Sequence, residues 1–244
     1  MAIQRTLPST ANADSTAIVA LPSRTGRYLE AYTLSLGGGK MQAFADEGSY
    51  FSAYNVTDGT GIAGHAAPVQ ADLSTKPLLH IFNGSTTKSI MIDFVRLRAT
   101  AIGAGATTTD FTAWIDNNGS TVKTSGGTVA TSVNCRGDQP NTTGAIVSFG
   151  AVVATAGATE KRIDHQRVRS VVAVVEDQYV FGFGNPGYGP ATGGITMAGT
   201  GVIAAYVHMP PAVILPGGNF KLVQWAASQS GAHSFEYTVG WVER

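Results

Sequence analysis

A single cysteine, Cys135, stands in the 244 residues of this chain, which excludes an internal disulfide and any cysteine-rich zinc site. Charge is scarce as well: Asp, Glu, Lys and Arg make up 13% of the residues, against roughly 25% in an ordinary soluble domain. The sixteen basic and sixteen acidic residues cancel. That leaves no excess positive field for a phosphate backbone, so no direct nucleic-acid partner is expected unless Arg162, Arg167 and Arg169 gather locally. No stretch approaches the roughly 20 apolar residues of a bilayer-spanning helix, and no membrane partner is expected. The opening residues, Met1 to Pro8, lack the apolar core of a signal peptide, from which synthesis in a cytoplasm without export is expected. His65, His80, His165, His208 and His233 never fall at the spacing of a local metal motif, and no G-x-S-x-G elbow surrounds Ser228 or Ser230. No metal, cofactor or catalytic residue is therefore expected, and the chain reads as non-enzymatic.

What the sequence does hold is apolar β-pattern and turn residues: 43% hydrophobic residues and 30 glycines. Residues 1–27 are rich in Ser, Thr, Ala and Pro and read as an extended N-terminal arm, with Arg5 and Leu7 as its candidate partner contacts. Residues 28–244 read as one all-β domain, a two-sheet sandwich. Strands are expected over Tyr28 to Leu36, Met41 to Ala45, Ser49 to Tyr54, Leu78 to Phe82, Lys88 to Thr100, Phe111 to Ile115, Thr128 to Val133, Ile146 to Ala154, Val168 to Val175 and Val202 to Met209. Asn83-Gly84 reads as a hairpin turn. Within Lys88 to Thr100 the apolar phase slips after Phe94, which a bulge near Phe94, or burial on both faces before it, would account for. The continuous runs from Ile146 and from Val168 suggest strands covered on both sides. A short helix is expected near Thr159 to His165. At the C-terminus Phe220 to Ala227 and a last strand follow, the latter with Phe235, Tyr237, Val239 and Trp241 on one face and Glu236, Thr238 and Gly240 on the other.

Several motifs invite a sharper reading than they sustain. Gly182-Phe183-Gly184-Asn185-Pro186-Gly187 fits G-x-G-x-x-G, but the Tyr-Gly-Pro-Ala-Thr-Gly-Gly that follows cannot open the helix a dinucleotide site requires. The loop reads instead as a display of aromatics, with Phe183 and Tyr188 as candidate contacts for a partner. Arg136-Gly137-Asp138 reads as a turn in a chain without export. Asn-X-Ser/Thr tripeptides at Asn55, Asn83, Asn118 and Asn141 read as turn chemistry. His80 and His208 read as packing residues on strands. Asp164-His165 offers an oriented base only if a nucleophile lies near, and Trp114, Trp225 and Trp241 read as core or interface anchors rather than a sugar platform.

The Pro-Gly-Gly turn at 216–218, the strand Phe220 to Ala227, the Ser/Gly loop and the terminal Trp241-Val242-Glu243-Arg244 together resemble the end of jelly-roll virion proteins of tailed bacteriophages. The likeness extends more loosely from Leu78 through the Asn-Gly-Ser-Thr-Thr-Lys segment and the Gly/Thr/Ala-rich connections. The resemblance implies a jelly-roll-like structural subunit, most simply a capsid decoration or cement protein or a minor head, collar or tail component. It also implies assembly as a homotrimer against major capsid or other virion proteins, with residence in the virion after assembly in a host cytoplasm. A main shell subunit, and a receptor- or carbohydrate-binding module using Phe183, Tyr188 and the loop around Arg136, are the alternatives.

Overall fold

Strands adjacent in sequence are mostly not neighbours in space, because the chain passes repeatedly from one β-sheet to another. The computed structural model describes residues 23–25, 31–33, 40–69, 74–184 and 201–244. It divides into two units, Met1–Glu47 and Gly48–Arg244. In the first, β1 (Ser23–Thr25) pairs antiparallel with β2 (Ala31–Thr33), and helix α1 spans Lys40–Asp46. The remainder of the expected arm, Arg5 and Leu7 included, lies outside the described residues. The helix replaces the strand expected at Met41 to Ala45. Lys, Met, Gln and Ala are all good helix formers, and Gln42 donates to Asp46 one turn on, at 3.1 Å.

The second unit carries β3 (Tyr50–Tyr54), β4 (Ile62–Ala63), β5 (Leu79–Asn83), β6 (Ile90–Ala101), β7 (Thr109–Asp116), β8 (Lys123–Val129), β9 (Ser132–Asn134) and β10 (Ala145–Ala154). It continues with β11 (Lys161–Arg169), β12 (Gln178–Phe183), β13 (Ala204–Met209), β14 (Val213–Ile214), β15 (Asn219–Trp225) and β16 (Ser234–Glu243). A six-stranded sheet runs β11-β7-β15-β5-β10-β8. The other, eight-stranded, runs β13-β12-β6-β16-β3-β9, with β14 beside β6 and β4 beside β16. The two form a sandwich whose core is made of aromatic pairs between sheets. Phe149 stacks on Tyr237 at 4.7 Å, Phe111 meets Phe181 edge-on at 4.9 Å, and Phe183 meets Phe220 at 5.3 Å.

The C-terminal alternation is realised as read: Phe235, Tyr237, Val239 and Trp241 are all buried. β15 and β16 are not a hairpin, however. Each is an interior strand of a different sheet, β15 between β7 and β5 and β16 between β6 and β3. The expected bulge in β6 is present too. Ile92 faces Trp241 and Phe94 faces Gly240, so Asp93 is the extra residue, and the inward set moves from Ile90 and Ile92 to Val95, Leu97 and Ala99. A Cβ at Gly240 would lie 2.5 Å from the Phe94 ring and from the Tyr50 hydroxyl, which restricts the position to glycine.

Three further expectations are corrected. Asn83-Gly84 is a crossover, since β5 and β6 belong to different sheets. The buried Asn83 amide donates to the carbonyls of Lys88 (2.8 Å) and Ile214 (2.9 Å), and its oxygen accepts from Ser85 N (3.0 Å), bracing three segments at the sheet junction. The helix expected near Thr159 to His165 is the edge strand β11. Its dense charge suits a sheet edge, where side chains reach water and discourage further strand addition. The strand expected over Val168 to Val175 ends at Arg169, whose buried guanidinium turns the chain by holding the Val172 carbonyl at 2.9 Å and leaves Val172 and Val175 exposed.

Candidate functional site

Phe183 is not a display residue. Its position at the end of β12 points it between the sheets, 5% exposed and packed edge-on against Phe220. Period-2 alternation from Tyr179 and Phe181 commits Phe183 to the core face, a signal available in the sequence but overridden by the glycine motif. Tyr188 lies outside the described residues. Arg136 closes on Asp138 of its own loop, at 2.7 Å and 3.2 Å, so both carboxylate oxygens are occupied within the tripeptide. His80 is buried, but His208 is exposed on β13, contrary to its reading as a packing residue. Trp241 is buried, whereas Trp114 and Trp225 are half-buried.

Asp164 accepts from the His165 backbone N (2.7 Å) and the Gln166 amide (3.2 Å) and does not orient the His165 ring. That ring instead lies against the neighbouring strand, with Nδ1 2.8 Å from Thr112 Oγ1 and Nε2 3.6 Å from Asp110. Asp110 also accepts from Arg167 Nε at 3.0 Å. His165 faces Thr112 and Arg167 faces Asp110 in the β11–β7 register, so the cluster is a ladder of cross-strand pairs. The three arginines of β11 do not gather into a basic patch, because Arg169 is turned inward and fully buried.

Arg169 enters one of two buried polar locks, neither legible from sequence. Its Nη1 meets Asp177 at 3.0 Å with both side chains fully buried, and its Nη2 donates to the Gly201 carbonyl at 3.0 Å. Asp177 further accepts from Val174 N (2.8 Å), Ile203 N (3.0 Å) and the Tyr179 hydroxyl (3.1 Å). Burial, with the Asp177 charge beside it, holds the Tyr179 hydroxyl well above its ordinary value. The lock thus fixes the β11–β12 connection and the segment leading into β13.

The second lock lies on the outer face of the six-stranded sheet. Lys221 Nζ meets Glu160 at 2.7 Å and donates to the Ser74 carbonyl, with both ionic side chains almost wholly buried. Burial lowers the Lys221 ammonium from its ordinary value, opposed by Glu160. Nearby, Asp116 accepts from Ser120 Oγ (2.7 Å), Thr159 Oγ1 (2.7 Å), Thr121 N (2.7 Å) and Asn118 N (3.0 Å). Burial works to raise its pKa, but these four donors together outweigh it and hold the carboxyl far below the usual carboxylate range. His80, on the same face, is pushed down to about 4, chiefly by burial, with a hydrogen bond donated to Asn219 opposing and the Lys221 and Lys123 charges adding to the fall.

A row of exposed aromatic and polar side chains lies on the outer face of the eight-stranded sheet. Tyr206, Val180, Arg96, Thr238 and Tyr54 are successive register partners across β13, β12, β6, β16 and β3, and therefore project from one face in one row. In the next row Gln178, Arg98 and Glu236 are partners. Between these rows lies a groove of about 510 Å³ bordered by Tyr54, Asp58, Arg96, Arg98, Gln178 and Glu236. Arg98 is neutralised by Glu176 at 2.9 Å and Glu236 at 3.1 Å. Glu176 takes a left-handed conformation (φ 75) unusual for a non-glycine residue. Arg96 donates one bond, to Thr238 Oγ1 at 3.1 Å, and forms no ion pair among the described residues.

Among the described residues no group of three or more His, Cys, Asp or Glu is placed to hold a metal ion, and no helix is long and apolar enough to cross a membrane. The described residues of the second unit form a two-sheet β-sandwich with internally locked connections and a polar outer face on its eight-stranded sheet. No protein-family model, curated protein or solved structure matches the chain.

Proposed function

We propose that the chain is a structural virion subunit: a jelly-roll-like decoration or cement protein that associates with copies of itself, as a homotrimer, and with neighbouring capsid proteins. The reading rests on the edge formed by β8 and β10. There Val122, Val129, Ile146 and Val153 are 55%, 56%, 48% and 37% exposed, on or beside a terminal strand whose side chains are nearly all exposed. Apolar side chains gathered at a sheet edge in a charge-poor chain suit a surface covered by another subunit. The consecutive glycines Gly126 and Gly127, both with positive φ, bend β8. That geometry opposes indefinite strand addition and suits side-chain packing in a closed oligomer.

The buried locks support the same reading, since they hold the connections of a rigid body. Repeated passage between sheets supports the jelly-roll-like description, with the parallel β12–β13 pair as an addition to it. Light scattering of the purified protein tests the reading, with a mass three times the 25.2 kDa protomer expected. Val129→Asp with Ile146→Asp is expected to return the monomer and to abolish attachment to particles. A monomeric wild-type chain that also fails to bind particles would overturn the proposal.

A further inference from the structure

We propose that the outer face of the eight-stranded sheet is a binding site for an oligosaccharide bearing carboxylate groups. It stands independently of the assembly reading, which concerns the opposite sheet. The first observation is the row itself. Tyr54 and Tyr206 are 48% and 51% exposed, and each stands two strands away from Arg96 on opposite sides. At ordinary strand spacing the two rings are about 19 Å apart with the guanidinium midway. Exposed tyrosines on rigid strands offer apolar faces to sugar rings at little entropic cost, and their hydroxyls remain free to bond.

The second observation is the difference between the two arginines. Arg98 is held between two carboxylates, while Arg96, on the same strand, donates only to Thr238 and forms no ion pair among the described residues. A guanidinium with a free edge beside a groove is matched by a carboxylate, which it binds through two parallel hydrogen bonds. The groove also offers acceptors and a neutral amide, in Asp58, Glu236 and Gln178, suited to ligand hydroxyls. Those same carboxylates, with Glu176, set the ligand's charge density. They repel a closely charged chain such as single-stranded nucleic acid, although tyrosines and arginine would otherwise suit it. A saccharide with its acid groups spaced by neutral hydroxylated surface satisfies both sets of partners. The strained Glu176 is part of the same arrangement, because its carboxylate fixes Arg98 and so the floor of the groove.

The test is titration of the full chain, followed by amide chemical shifts, with hyaluronan oligosaccharides of four to six sugars, in which glucuronate alternates with a neutral sugar, and with neutral oligosaccharides ending in a single sialic acid. Methyl-esterified hyaluronan oligosaccharides and an oligo-dT of similar length serve as controls. Binding of at least one acidic oligosaccharide is expected, with shifts confined to β3, β6, β12, β13 and β16. Arg96→Ala is expected to weaken it roughly 10- to 100-fold, as loss of a charge-assisted bidentate contact does. Arg96→Lys should restore only part of the affinity, and Tyr54→Ala should weaken binding while leaving the melting temperature unchanged. The methyl ester should bind no better than Arg96→Ala binds the acid. Failure of both acidic series to shift this face, binding unaffected by Arg96→Ala, or a preference for oligo-dT would each overturn the proposal.

Discussion

Acid should loosen this fold in a pH window set by two buried histidines. His233 is 1% exposed, stacks on Phe235 at 5.9 Å, and has no hydrogen-bond partner for Nε2 among the described residues. Burial pushes it down to about 4, and His80 is likewise pushed down to about 4, chiefly by burial. Both are therefore neutral in the folded state at pH values where the unfolded chain already binds protons. Stability is complete above the unfolded value of 6.5 and falls as pH drops from there toward 4. Between pH 7 and pH 5 the loss is about 2 kcal/mol per histidine, and below pH 4 it levels off at roughly 3.4 kcal/mol each. For a domain of this size the pair together correspond to a fall in Tm of roughly 8 to 16 °C between pH 7 and pH 5. Asp116 does not confuse the window, because a depressed carboxylate contributes stability that is lost only at lower pH. The assay is urea unfolding at pH 7, 6 and 5 of the wild type and of a His80→Gln/His233→Gln variant. The variant is expected to be less stable at pH 7 but nearly flat across the window. Equal pH dependence in the two proteins would refute the reasoning.

Removing one partner of the fully buried Arg169–Asp177 pair, as in Arg169→Met, should cost about 3–5 kcal/mol by leaving a carboxylate unpaired in the core. The double change to Arg169→Met/Asp177→Leu should be milder than the two single effects added, as chemical denaturation would report. Phe183→Ala should cost about 3–5 kcal/mol in the same assay, the behaviour of a core residue rather than of a surface contact. Gly240→Ala should cost about 1–3 kcal/mol because the new methyl meets the Phe94 ring and the Tyr50 hydroxyl; a neutral effect on the melting temperature would show that both neighbours yield.

Local pattern was legible wherever one face of a strand is buried. Alternation located β16, and the phase slip after Phe94 pointed to a bulge near it, which the pairing with β16 places at Asp93: one inserted residue returns the apolar set of a period-two strand to the core. Charge-rich β11 was not legible as a strand. Local propensity there competes with helix, and only pairing with β7 decides it. Of the candidate site, the sequence pointed to Phe183 through its glycine neighbours and missed Tyr54, Arg96 and Tyr206. Those three are separated by scores of residues and share a row only through the strand order β13-β12-β6-β16-β3.

Residue types and their spacing determined the β character, the exclusion of an internal disulfide and the scarcity of charge. Which sheet each strand joins was a tertiary decision. A crossover at Asn83 and a hairpin there carry the same turn residues and differ only in what Lys88 and Ile214 bring to the Asn83 amide. The buried locks are of the same kind. Arg169 and Asp177, or Lys221 and Glu160, are ordinary charged residues in sequence, and they become fixtures of the core because the fold removes both partners from water together.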